Sequence, residues 1–176
     1  MNKQLKKTLK DIEKEIHITP FLRALLLTDG SITTLLEAFK SCEIKITGLK
    51  QKIVEADEKL SEELNINPGE MINEREVILS AEQKPLVYAK SYAVILRLDI
   101  CAKNDILKTN APIGKILKKH KVETHREIQE IGIKSDAEIA KILNLNNNKI
   151  LFRIYLIIHK NMPLMKIEEY FGEIKI

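Results

Sequence analysis

The stretch "MINEREVILSAEQKPLVYAKSYAVIL", residues 71–96, decides the fold. It contains two runs rich in β-branched and aromatic residues, 71–80 and 85–96, separated only by the short link "AEQK". Two such runs with a short connection predict a β-hairpin, and a hairpin pairs its strands antiparallel. We therefore expect an antiparallel sheet to form around this segment.

The segments on either side show alternating helical and strand patterns. A first helix is predicted by the spacing of Leu5, Leu9, Ile12 and Ile16, which recur at steps of three or four. Further helices are expected from Pro20 to the Asp29-Gly30 stop, after the N-cap Ser31, within 57–64 and 111–120, and after the capping box at 135–138. Strands are expected at 42–56 and 122–132, with a last hairpin of 149–159 and 163–174. Asp99 and Asp105 are expected in a loop.

These patterns predict an α+β fold. Consecutive strands with short links favour one antiparallel sheet of about six strands, with helices packed on one face. The length of 176 residues fits a single domain, which we expect to span residues 1–176.

Composition narrows the class of protein. No apolar run approaches the ~20 residues of a membrane span, and the N-terminus lacks the apolar core of a signal peptide, so we expect a cytoplasmic protein. The net charge of +4 is spread along the chain, which argues against a nucleic-acid partner. The four histidines and the cysteines Cys42 and Cys101 have no metal-ligand spacing, so no metal site is expected.

The placement of arginine is the first hint of function. Only five of the 29 basic residues are arginine, and three of them fall in the middle of predicted strands on partly apolar faces: Arg75, Arg126 and Arg153. A guanidinium grips a planar carboxylate or phosphate with two parallel hydrogen bonds, which lysine cannot do. The pattern predicts an anion pocket between sheet and helices, with an internal ion pair to Glu or Asp as the alternative for each arginine.

The order of several segments resembles the chorismate pyruvate-lyase family, the 4-hydroxybenzoate synthases. The resemblance covers roughly residues 21–172 and rests on "LLLTDGSITTLLEAF", "NEREVIL", "PLVYAKS", "APIGKIL", "THREIQEIG" and "PLMKIEEYF". It implies a six-stranded antiparallel sheet that encloses a small cavity. It also implies conversion of chorismate to 4-hydroxybenzoate and pyruvate, without metal or cofactor.

The resemblance also implies site residues. Arg75 would grip the ring carboxylate, and Ile32 and Ile113 would line the ring. Lys90 and Arg126 are the further cations expected to bind substrate.

The acid that faces the ring hydroxyl is placed in two different ways. An ungapped count from Pro163 places it at Glu168. Alternation along the last strand instead puts Glu169 beside Met165 and Ile167. We follow the ungapped count and keep Glu169 as the alternative.

Two other kinds of function compete with an enzyme. Effector-binding domains of a class of bacterial transcription regulators look similar in fold, so a non-catalytic sensor of small acids is the main alternative. Only about 40 residues precede the first predicted strand, with no helix-turn-helix pattern, which disfavours a complete regulator. A purely structural or partner-binding protein would leave the mid-strand arginines unexplained.

Overall fold

The structure, a computed structural model, describes residues 3–174 and contains one six-stranded antiparallel sheet. The strands are β1 (Lys45–Glu55), β2 (Met71–Ala81), β3 (Lys84–Ala93), β4 (His125–Ser135), β5 (Lys149–His159) and β6 (Met162–Phe171). The helices are α1 (Lys3–Glu15), α2 (Pro20–Leu27), α3 (Ile32–Lys40), α4 (Glu58–Leu64), α5 (Ile100–Lys108), α6 (Ile113–Lys119) and α7 (Ala137–Ile142), with a 3₁₀ turn at Ile95–Arg97.

The two predicted hairpins form the centre of the sheet. Its strand order is β1-β2-β3-β6-β5-β4, so the β2–β3 hairpin meets the β5–β6 hairpin along β3 and β6. The predicted α+β fold with a single antiparallel sheet is confirmed.

Helices cover both faces of the sheet, not one as predicted. We call the face that carries Arg75 the inner face. There α1, α2 and α3 pack over one part of the sheet, and α5 and α6 pack over another. The opposite, outer face is covered at two places by α4 and α7, because Ile72 and Tyr170 point outwards and offer them apolar contacts.

Helix α5 is missing from the sequence prediction, which placed Asp99 and Asp105 in a loop. Asp99 is the N-cap of this helix, and its carboxylate accepts hydrogen bonds from the backbone N–H groups of Cys101 and Ala102, both at 2.9 Å. Asp105 lies in the helix and pairs with Lys119 of α6 at 2.7 Å. Only two residues of α5 are buried, so its apolar stripe is too short to give a helical periodicity.

A β-bulge near the start of β6 sets which of its residues face inwards. The pairing with β5 passes from Ile158–Pro163 directly to Ile157–Met165, which leaves Leu164 as an extra residue. The Leu164 carbonyl accepts from the backbone N–H of Val94 at 2.9 Å. One extra residue exchanges the two faces for every later position of the strand, and Met165, Ile167 and Glu169 then share the inner face.

None of the helices within residues 3–174 has the length and apolarity that a membrane crossing requires.

Candidate active site

A small cavity lies between the inner face and the N-terminal ends of α3 and α6. Its volume is about 60 Å³, which is several times the ~10–15 Å³ of cavity space that one water molecule needs. The strands contribute a mixed floor of apolar and polar side chains: Arg75, Val77, Ala89, Tyr155, Ile167 and Glu169. The cavity therefore combines apolar walls with a few polar groups, which is typical of a small-molecule site.

Arg75 is buried in this floor without an acidic partner. The residue is only 1% exposed, and it forms no ion pair within residues 3–174. One terminal nitrogen, Nη2, donates to the carbonyls of Thr109 at 3.3 Å and Ala111 at 2.9 Å, in the link between α5 and α6. The Nε–H group has no hydrogen-bond partner among the described residues, and burial lowers the pKa of the guanidinium. A buried cation with a spare donor at a cavity is suited to an anionic ligand.

Glu169 occupies another part of the floor and is held by two donors. The residue is 4% exposed. Its Oε2 accepts from Arg153 Nε at 2.6 Å, and its Oε1 accepts from the Tyr155 hydroxyl at 2.9 Å. Arg153 therefore forms an internal ion pair with Glu169, which is the alternative expected for each mid-strand arginine. Burial and the neighbouring Glu169 raise the pKa of Tyr155, so this phenol stays protonated and donates.

Glu168 and Lys90 do not line the cavity, which corrects two predicted site residues. They lie directly opposite each other on β6 and β3, on the outer face. Lys90 Nζ pairs there with Glu74 at 3.1 Å, and Glu168 accepts from the Tyr170 hydroxyl at 3.0 Å. Lys90 follows the pleat of β3 to the side opposite Arg75.

The other predicted residues do meet at the cavity. Ile32 of α3 and Ile113 of α6 line it together with Arg126 of β4. Arg126 Nη1 donates to the Asp29 carbonyl at 3.2 Å, while its Nε–H has no partner in the part of the chain that the structure describes. The guanidinium lies 5.9 Å from the ring centre of Tyr155, within the range of a cation–π contact.

Helices α3 and α6 approach each other closely beside Arg126. Gly114 permits this approach, because a Cβ atom at that position would lie 3.3 Å from Ser31 Oγ and 3.8 Å from Arg126 Nη2. Glu37 of α3 and Lys115 of α6 form an ion pair at 2.7 Å that joins the two helices. The hydrogen bond from Lys115 holds the pKa of Glu37 below its usual range, against the opposing effect of burial.

Three contacts of the site have no counterpart in the sequence patterns. The carbonyls of Thr109 and Ala111 reach Arg75 across more than thirty residues of chain. Tyr155 shares a strand face with Arg153 in the sequence, but its hydroxyl bond to Glu169 depends on the register of β5 and β6. Together the groups offer two cations with spare donors and one fixed carboxylate, which matches a ligand carrying anionic groups and a hydrogen-bond donor.

Comparisons with known proteins show which family and which relatives the chain is similar to. Residues 26–175 match the family described as Chorismate pyruvate-lyase Rv2949c-like. The chain is 38% identical over 174 residues to the candidate lyase MJ0807 of Methanocaldococcus jannaschii, covering 93% of this chain and 85% of that protein. It is 26% identical over 157 residues to a chorismate pyruvate-lyase of Mycobacterium tuberculosis, covering 85% of this chain and 78% of that protein.

Among solved structures the fold is similar to regulator domains. The effector domain of PhnF from Mycobacterium smegmatis superposes with a TM-score of 0.64 at 14% identity, covering 83% of this chain and 90% of that one. This likeness concerns only the fold, which this chain and the PhnF effector domain share.

Proposed function

We propose that this chain, which belongs to the Rv2949c-like chorismate pyruvate-lyase family, converts chorismate to 4-hydroxybenzoate and pyruvate. The observation that carries the proposal is the buried Arg75, which has no acidic partner within residues 3–174 and faces the same cavity as Glu169. Chorismate is a ring acid with a second carboxylate and a ring hydroxyl. The cavity offers a counterpart to each of these groups.

Arg75 would bind the ring carboxylate. Both hydrogens of its Nη2 are directed to the carbonyls of Thr109 and Ala111. A carboxylate held by Nε and Nη2 together would therefore replace one carbonyl contact and use the spare Nε–H. Ile32 and Ile113 supply apolar walls for the ring.

Glu169, in place of the predicted Glu168, would accept the hydrogen bond of the ring hydroxyl at C4. In the reaction the hydrogen on C4 leaves as a proton, and its electron pair completes the aromatic ring. The ether bond at C3 breaks, and enolpyruvate takes up a proton to become pyruvate. Aromatisation favours the products, so orientation and electrostatics are the main demands on the protein. The proton lost at C4 balances the proton that enolpyruvate takes up, so the reaction needs no net proton from the protein.

Arg126 would bind the carboxylate of the enolpyruvyl group. It lies at the cavity beside the first turns of α3 and α6, and within residues 3–174 its Nε–H has no partner. Lys90, the other predicted cation, lies on the outer face and is paired with Glu74 and Glu76. We therefore assign the second carboxylate to Arg126 alone.

A turnover assay tests the proposal. Purified protein incubated with chorismate and a metal chelator should form 4-hydroxybenzoate and pyruvate in equal amounts, measured by chromatography. Arg75→Met provides the matched inactive control. Absence of both products, with folded protein, would overturn the assignment as an enzyme.

A non-catalytic sensor is the second candidate, favoured by the likeness in fold to the PhnF effector domain. A sensor would bind a small acid at the same cavity without converting it. Tight binding of 4-hydroxybenzoate combined with no turnover of chorismate would support this candidate over the lyase.

A further inference from the structure

Three buried polar side chains contact one another at the floor of the cavity: Arg153, Tyr155 and Glu169. We propose that Arg153 and Tyr155 are positioning residues that fix Glu169 as an ionised acceptor, so that the site selects a ring bearing a hydrogen-bond donor opposite its carboxylate. The inference rests on the proposed function, because it concerns the same cavity, and it specifies how the ring hydroxyl is recognised.

The first support is the anchoring of Arg153. Its side chain is fully buried, and Nη1 donates to the carbonyls of Leu25 at 2.7 Å and Thr28 at 2.8 Å, at the end of α2. Its Nε donates to Glu169 at 2.6 Å, and bonds between charged groups are shorter than neutral ones. A guanidinium fixed at two other points holds the carboxylate in one place.

The second support is the use of both carboxylate oxygens. Arg153 occupies one site on Oε2, and the Tyr155 hydroxyl occupies one site on Oε1 at 2.9 Å. Each oxygen of a carboxylate has two acceptor sites, so each oxygen keeps one free. Contacts on both oxygens also fix the rotation of the carboxylate, which lines the cavity.

The third support is the protonation that this arrangement favours. If Glu169 took up a proton and became neutral, Arg153 would be left buried without a counter-charge, which is costly. Tyr155 lies over the same guanidinium, with the Arg153 Cζ 4.7 Å from its ring centre. Glu169 therefore accepts hydrogen bonds and does not donate them, and a ligand group that only accepts is rejected.

A purely structural ion pair makes a different prediction from a positioning role. A structural role would change stability and weaken all ligands to a similar degree. A positioning role changes the preference between ligands that differ only at the ring position opposite the carboxylate. The ratio of two affinities therefore separates the roles.

The test measures the affinities of 4-hydroxybenzoate and benzoate by titration calorimetry. The wild type should bind 4-hydroxybenzoate at least about 10-fold more tightly, as expected for a hydrogen bond to a charged group. Tyr155→Phe should reduce this ratio several-fold. Arg153→Lys should reduce it further if the variant folds, as checked by melting temperature.

Tyr170→Phe is the matched control. Its hydroxyl donates at 3.0 Å to Glu168, the neighbouring acid on the outer face, so its removal should leave the ratio unchanged. A wild-type protein with no preference for 4-hydroxybenzoate would overturn the proposed function at Glu169. A wild-type preference that Tyr155→Phe retains in full would overturn the positioning role and leave the proposed function standing.

Discussion

Replacing Arg75 is the change that most sharply separates a ligand-binding role from a structural one. Arg75→Lys keeps the charge but loses the planar fork, and Arg75→Met keeps most of the volume but loses the charge. Because Arg75 has no acidic partner within residues 3–174, neither variant leaves a buried carboxylate unpaired. We therefore expect these variants to lose more ligand affinity than folding stability, whereas breaking an ion pair would mainly lower stability.

The structure gives the terms of the stability change. Arg75→Met removes two hydrogen bonds to the carbonyls of Thr109 and Ala111 and leaves these acceptors unpaired, at a cost of about 1–3 kcal/mol for each. It also removes a buried guanidinium, whose desolvation costs several kcal/mol. These terms oppose each other, so we expect the variant to fold with a modest change in melting temperature.

The binding change should be larger. Each charge-assisted hydrogen bond to the ring carboxylate contributes about 1.5–3 kcal/mol, so Arg75→Lys should weaken 4-hydroxybenzoate about 10- to 150-fold. Arg75→Met should weaken it more. Calorimetric affinity and melting temperature measured on both variants decide the matter. Unchanged affinity in folded Arg75→Met would refute the reasoning, as would a loss of affinity that only follows a loss of folded protein.

Three further predictions concern the surroundings of the cavity. Arg126→Met should raise KM for chorismate at least about 10-fold, whereas Lys90→Met, on the outer face, should leave KM within a factor of two. Equal effects of the two changes on KM would contradict the assignment of Arg126. Gly114→Ala should lower affinity for 4-hydroxybenzoate several-fold with little change in melting temperature, because its Cβ would lie 3.3 Å from Ser31 Oγ; tighter binding would contradict this. The pKa of Glu37 is lowered, so its ion pair with Lys115 of α6 stabilises the fold above the ordinary glutamate pKa of about 4.3. This stabilisation is lost as the pH falls through the pKa of Glu37 in the folded protein, so the difference in stability between wild type and Glu37→Gln should shrink on acidification. A difference that does not depend on pH would contradict this prediction.

The sequence predicts those features that depend on local alternation. The β2–β3 and β5–β6 hairpins and the inward direction of Arg75 and Glu169 all follow from a period of two, which each strand imposes on its own residues. The family resemblance adds Ile32 and Ile113 at the cavity, where the structure also places them.

The features that the sequence does not predict depend on contacts between distant segments. The extra residue Leu164 is stabilised by Val94, and the neighbouring Pro163 carbonyl accepts from Arg97, so neither contact is visible in the β6 sequence itself. The count that placed the acid at Glu168 depended on the family resemblance and not on the faces of the strand. In the same way, the carbonyls that hold Arg75 come from a link after α5, a helix whose own apolar pattern is too short to detect.

The most direct test of the central claim compares two adjacent acids that lie on opposite faces of β6. The claim is that chorismate is converted at the inner face, where Glu169 lines the cavity, while Glu168 lies outside it. In a steady-state assay of product formation, Glu169→Gln should lower kcat by about 10²-fold, the order expected when a substrate loses its correct orientation. Glu168→Gln should leave kcat within a factor of two. The reverse order, or equal and small effects of both changes, would contradict the account.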